Sequence, residues 1–197
     1  MTPAMRPLLL FLNVLCVTVA FQASLSRVEV LRPFHQRGAL KIISGLKNFD
    51  PANVGNVAWA ASNGGASVVD IACSPELVRM VKSLCIIPVC VSSINPRDFV
   101  DAVHAGADMV EIGNFDGFYE EGMDFPAEDV IRMAEETRRL LPGIPMSVTI
   151  PHRLALTDQV TLAKYLELIG TDIIQTEGKV GVRNEKEGLA GVVQRAT

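Results

Sequence analysis

Apolar and polar positions alternate along this chain in two short patterns that take turns. The first runs glycine, two small or polar residues, two apolar residues, then a polar acceptor. It occurs as Gly65-Ala66-Ser67-Val68-Val69-Asp70, Gly106-Ala107-Asp108-Met109-Val110-Glu111 and Gly170-Thr171-Asp172-Ile173-Ile174-Gln175. The glycine is suited to ending a helix and the apolar pair to a short buried strand. Each copy therefore predicts a strand carrying Asp, Glu or Gln at one fixed point. The second pattern, Ile87-Pro88-Val89-Cys90-Val91-Ser92 and Ile144-Pro145-Met146-Ser147-Val148-Thr149, predicts the strands that alternate with these. Between strands the apolar period lengthens to that of a helix. Val130, Met133, Ala134, Thr137 and Leu141 form one stripe after Pro126, and Val160, Ala163 and Leu166 form another behind a Thr157 cap. Asp50-Pro51 and Ser74-Pro75 each supply an N-cap and a proline at the first helical position, and Asn95-Pro96 predicts a third such start.

In chain order the strands are predicted at 40–44, ending at Asp70-Ile71-Ala72, ending at Ser92-Ser93, then at 109–113, 146–150 and 173–176. Six strand–helix alternations with short connections imply parallel strands and right-handed crossovers. A doubly wound sheet would read as near-continuous apolar strands buried on both faces. These strands instead carry polar residues at alternate positions, which suits a barrel interior. The predicted fold is α/β, an incomplete parallel (β/α)8-type barrel with about six of eight strands.

Length and composition fit one domain: 197 residues, 49% of them apolar. The net charge of -4 is unevenly spread, +3 over residues 1–38 and -7 over the rest. So acidic a body offers no electrostatic footprint for nucleic acid. Cys16, Cys73, Cys85 and Cys90 form no Cys-x-x-Cys, and His35, His104 and His152 stand at no ligand spacing to them. No metal site is expected on that basis, and three body cysteines suit free thiols in a reducing compartment.

The first 20 residues read as a signal peptide: Arg6, an apolar run from Leu8 to Val17 too short to span a bilayer, then Thr18 and Ala20 before a cut. Residues 21–38 begin as a Ser- and Arg-containing, acid-free transit-like segment and end in a short helix placed under the barrel. Phe21 directly after the cut matches a two-part plastid leader. No stable membrane insertion is expected once it is removed. The barrel occupies 39–179 and a divergent tail 180–197.

Inward-pointing positions carry the candidate chemistry. In a parallel barrel the helix-facing side of each strand is apolar, so polar alternates face inward. Asp70, Glu111 and Gln175, from even strands, should converge in one ring. Cys90, Ser92, Ser147 and Thr149 belong to the layers of the odd strands. Lys41 is the single basic residue on any predicted strand. A lysine beside two shielded carboxylates suits proton transfer or imine formation, and equally a structural ion-pair layer. Loops on the carboxyl side of the strands add Asn114, Asp116, His152, Glu177 and Lys179, with His152 as an acid or base and Lys179 as a phosphate or imine group. Cys73 reads better as packing than as a nucleophile. Glycine-rich dinucleotide, phosphate-loop, zinc-protease and nucleophile-elbow motifs do not occur.

Five ordered blocks carry a resemblance: the run from Lys41 to Asp50, Val89-Cys90-Val91-Ser92-Ser93, Val110 to Asp116, Val148-Thr149-Ile150-Pro151-His152 and Gln175-Thr176-Glu177-Gly178-Lys179. They resemble the hypothetical chloroplast open reading frame twenty-three family. The resemblance implies a TIM-like barrel in a plastid and no assigned reaction. Members of that family continue past the Glu-Gly-Lys block, so the resemblance also implies a chain cut short. Three functional readings follow: a stromal barrel enzyme acting on a small phosphorylated metabolite, a metabolite-binding or regulatory barrel without turnover, and a truncated product without function of its own. Cofactor, flavin use and oligomeric state are not readable.

Overall fold

The computed structural model describes residues 25–177. Most of the leader, the 180–197 tail and Lys179 lie outside them. The elements run α1 (Arg27–His35), β1 (Lys41–Ile43), α2 (Pro51–Asn63), β2 (Val68–Ala72), α3 (Pro75–Leu84), β3 (Val89–Ser93), α4 (Asp98–His104), β4 (Met109–Ile112), α5 (Asp116–Tyr119), α6 (Ala127–Leu140), β5 (Met146–Ile150), α7 (Leu156–Leu168) and β6 (Ile173–Thr176). The strands form one parallel sheet in sequential order from β1 to β6. A doubly wound sheet would reverse its order at a switch point. Sequential order makes this an incomplete barrel.

Local signals explain most boundaries. Asp50 accepts from the Ala52 N–H with Pro51 following, and Ser74 accepts from the Leu77 N–H with Pro75 following. The repeat glycines Gly65, Gly106 and Gly170 have φ of 77°, 113° and 81°, the conformation that lets a chain leave a helix and enter a strand. Three expectations are corrected. Helix α4 begins at Asp98, because Ser93 and Asn95 bond the Asp98 carboxylate and spend 95–97 on a turn. Helix α7 begins after Ala155, and Thr157 caps nothing. Val160 is 48% exposed, while Leu162 and Leu166 are buried, so the inward stripe is rotated from the one read in the sequence.

The repeat has a second structural duty, at its third position. Ser67 accepts from the Leu40 N–H at 3.1 Å, Asp108 from the Val89 N–H at 2.8 Å and Asp172 from the Met146 N–H at 2.9 Å. Each side chain thus ties its own strand's entry to the entry of the strand beside it. Asp108 also pairs with Lys82 and Asp172 with Arg138, which fixes α3 and α6 to the sheet. An N–H at a strand entry would otherwise be left without a partner.

Two apolar layers enclose the sheet. Outward residues such as Val69, Ile71, Val91, Val110, Ile112 and Val148 pack under the helices as the main core. On the inner face Val68, Cys90 and Met109 meet Val30 of α1, which plugs the barrel floor. Helix α1 is held by a complete capping box between Ser26 and Glu29.

Candidate functional site

Asp70 and Glu111 are fully buried on the inner face, and the Lys41 ammonium sits between them. Lys41 Nζ lies 2.9 Å from Asp70 Oδ2, contacts Glu111 Oε2 directly, and is 3.5 Å from Gln175 Oε1. Gln175 Nε2 donates to Glu111 Oε1 at 3.4 Å. The structure thus brings the three repeat acceptors together around the one strand lysine. Hydroxyls from the odd strands reach into the same ring. Ser92 Oγ donates to Asp70 Oδ1 at 2.7 Å, and Thr149 Oγ1 to Glu111 Oε1 at 3.4 Å. Cys90 instead belongs to the apolar floor.

Two carboxylates around one buried ammonium set the electrostatics. Burial alone would push the Lys41 ammonium toward neutrality. The opposite charges around it win, and its pKa is raised. Cys90 is a further neighbour, but burial holds its thiol well above the ordinary range, so at neutral pH the two carboxylates do this work. Burial, and next the charge of Asp70, raise the Glu111 carboxyl, with Lys41 opposing. Glu111 is therefore a ring carboxyl that holds a proton more strongly than its type ordinarily does.

Above this ring a cleft of about 560 Å³ opens between the loops that follow the strands. Ile43, Lys47, Asn114, Thr149, Gln175 and Glu177 are among its walls. Lys41, Asp70 and Glu111 lie beneath it, and Asn114, Thr149 and Gln175 touch both levels. Asn114 Nδ2 bonds Ser92 Oγ at 3.2 Å and Asp70 Oδ2 at 3.5 Å. It does so from a left-handed backbone, φ 62°, which asparagine tolerates better than most residues. The residue before it, Gly113, has φ 158°, and a Cβ there would fall 2.0 Å from Thr149 Oγ1. Glycine is what lets β4 pass close enough to β5 for both Asn114 and Thr149 to reach the ring.

One wall of the cleft holds a second cluster. His152 Nδ1 lies 2.9 Å from Glu177 Oε2 and 3.9 Å from Asp116 Oδ1, and the His152 N–H donates to the same Glu177 oxygen. Tyr119 donates its hydroxyl to Glu177 Oε2 at 2.9 Å and meets the His152 ring edge-on. Burial and then the nearby Glu177 charge raise the Asp116 carboxyl. Burial, and after it the bond to Glu177, raise the Tyr119 phenol, so it stays a neutral donor. The Cys73 thiol is pushed up to about 12, chiefly by burial, which leaves it a packing group at neutral pH.

Lys47 and Tyr119 stand out in the structure and not in the sequence reading. Lys47 Nζ reaches the cleft from the loop after β1, donates to the Gly117 carbonyl at 2.9 Å, pairs with Glu121 and lies 4.2 Å above the Phe118 ring. The signal was its place in a loop after a strand, on the face where the other loop candidates sit. The connection after β4 contains the short helix α5, held by Phe115 stacking on Phe125.

The family described as "Protein of unknown function (DUF561)" matches residues 25–197. A curated relative, the uncharacterized protein ycf23 of Cyanophora paradoxa, is 48% identical over 146 residues, which is 74% of this chain and 60% of the relative. Other relatives with that description are 37–44% identical, and the chain spans about 60% of their lengths too. Among solved structures, one described as QR15, an aldolase, superposes with a TM-score of 0.54 at 17% identity, covering 70% of this chain and 65% of that one. A putative deoxyribose-phosphate aldolase from Coccidioides immitis gives 0.53 at 15% identity, covering 73% and 60%. At such identities the likeness is one of fold.

Proposed function

The chain belongs to the ycf23 (DUF561) family, and on that premise we propose that it is a barrel enzyme moving a proton on a small phosphorylated metabolite. The carrying observation is that Asn114, Thr149 and Gln175 both line the cleft and bond the buried Lys41–Asp70–Glu111 ring. A carbonyl compound seated in the cleft would rest on these three polar groups. Glu111, with its raised proton affinity, is the group to give or take the proton, reaching the cleft through the Thr149 hydroxyl that bonds it and lines the cleft. Lys41 keeps a charge beneath it that favours a developing enolate oxygen. Imine formation at Lys41 would require that ammonium to lose its proton against two carboxylates, so proton transfer is the better-supported chemistry. Lys47 is the cation within the described cleft that could meet a phosphate. The aldolase-titled neighbours, one of them titled a putative deoxyribose-phosphate aldolase, support this substrate class.

One observation favours a binding barrel without turnover: the charged ring itself does not line the cleft. Incubating the protein in D2O with hydroxy-carbonyl compounds, phosphorylated and not, separates the readings. Loss of a carbon-bound proton signal next to the carbonyl in at least one phosphorylated compound is the expected result. A compound that binds saturably and never exchanges would leave the binding barrel as the account to keep.

A plastid location is part of the proposal, supported by the two-part leader pattern and the family resemblance. Among the described residues no helix is long and apolar enough to cross a membrane. Residues 1–38 fused to a fluorescent protein should carry it into plastids of an alga with a two-part import route. Retention in the secretory pathway would count against this location.

A further inference from the structure

The acidic wall of the cleft is the part of the molecule that the proton-transfer reading leaves unused. Three connections meet there: α5 brings Asp116, the segment after β5 brings His152, and the residue after β6 is Glu177. One nitrogen and two carboxylate oxygens from these residues lie within 4.8 Å of one another. The Glu177 side chain is 4% exposed. Its Oε2 receives the His152 and Tyr119 bonds, yet its Oε1 is buried without any partner among the described residues. A buried carboxylate oxygen with nothing to accept from costs stability. Asp116 has no lysine or arginine within ion-pair distance among the described residues. An anionic substrate entering this cleft would meet negative charge on one wall.

We propose that Asp116, His152 and Glu177 form a site for one divalent transition-metal cation of the Mn2+ or Zn2+ kind. Imidazole nitrogen with two carboxylates suits such ions, whereas Mg2+ and Ca2+ prefer oxygen alone. Bonds of roughly 2.0–2.2 Å in a tetrahedron set ligand atoms about 3.4 Å apart. The present separations, 2.9 Å from His152 Nδ1 to Glu177 and 3.9 Å to Asp116, stand on either side of that spacing. The 2.9 Å contact is to Glu177 Oε2, so the cation would replace that hydrogen bond, and a carboxylate turning both oxygens to it would give Oε1 the partner it lacks. Tyr119 stays a neutral donor at the rim. Asp116 and Glu177 also line the cleft, so a fourth position opens toward it. Holding a phosphate or carbonyl oxygen there rests on the function proposed above. Binding of the metal does not.

The test uses the full chain stripped with EDTA and titrated with MnCl2, free Mn2+ being read from its six-line EPR spectrum. Saturation at one Mn2+ per chain, displaced by Zn2+, is expected. Asp116→Asn and Glu177→Gln should each weaken it about tenfold or more while keeping the wild-type circular dichroism spectrum. No saturable binding, or binding unchanged in both variants, overturns the proposal. Should either variant lose its fold, the other and His152→Gln carry the comparison. Stoichiometric Mn2+ binding in a protein that catalyses no proton exchange would keep this site and remove only the reading above it.

Discussion

Replacing Lys41 by methionine is expected to cost about 3–5 kcal/mol of stability at neutral pH, the loss usual when one partner of a buried ion pair is removed. Lys41 is 10% exposed, and the two carboxylates it separates are fully buried. Without the ammonium, Asp70 and Glu111 face each other with no counter-charge. Urea unfolding should show the midpoint falling at unchanged slope. Adding Glu111→Gln to Lys41→Met should recover much of the loss, since one carboxylate alone can rely on Ser92 and Asn114. The pH dependence has a definite sign. Lys41 has a folded pKa above its ordinary 10.5, so its contribution is fully present below 10.5 and is lost as pH rises through the folded value. Glu111 has a folded value above 4.5, so the folded state binds its proton more tightly and gains stability as pH falls through that window. The deficit of Lys41→Met should therefore shrink toward acid pH, where Glu111 is neutral, and shrink again in strong alkali.

Glu111→Gln should behave in the opposite way. It leaves Lys41 and Asp70 as a one-to-one pair and keeps an amide that can bond Thr149 or Gln175. Stability should be unchanged or higher, since Glu111 ionises in the folded state against burial and the charge of Asp70. Proton exchange on the bound metabolite should nevertheless fall by about 10²–10⁴-fold, the range a positioned acid–base group contributes. Ligand affinity should change little, because the cleft is lined by Gln175, Thr149 and Asn114 and not by Glu111. A variant that binds, folds and fails to exchange would separate a catalytic ring from a structural one. Full exchange in Glu111→Gln would assign the proton to another group.

Much of this ring was legible in the sequence because a strand has a period of two and a barrel has one inside. Once Asp70, Glu111 and Gln175 occupied equivalent points of a repeat on alternate strands, their convergence followed, and Lys41 was the one cation that could join them. Proline and cap pairs likewise fixed α2 and α3 to the residue. Helix faces were less secure. Val160 belongs to the same apolar type as Leu162, and a helix without a side-chain cap gives no origin from which to count the stripe. Side chains on connections were least legible. His152, Asp116 and Glu177 were each readable as loop residues, but nothing in their spacing says that three separate turns aim them at one point. Lys47 and Tyr119 were hidden for the same reason. Gly113 looked like the end of a strand, and its need for an absent Cβ appears only once Thr149 stands opposite.

On the proposed function, the buried ring senses and serves what the cleft holds. An NMR titration of the Glu111 side-chain carboxyl carbon, with and without a compound that exchanges, tests it most directly. A midpoint above 4.5 is expected in the free protein, set by burial and Asp70, with a displacement of that midpoint when the cleft is filled. A midpoint at or below 4.5, or one indifferent to the bound compound, would contradict it and leave the ring as a brace for the barrel.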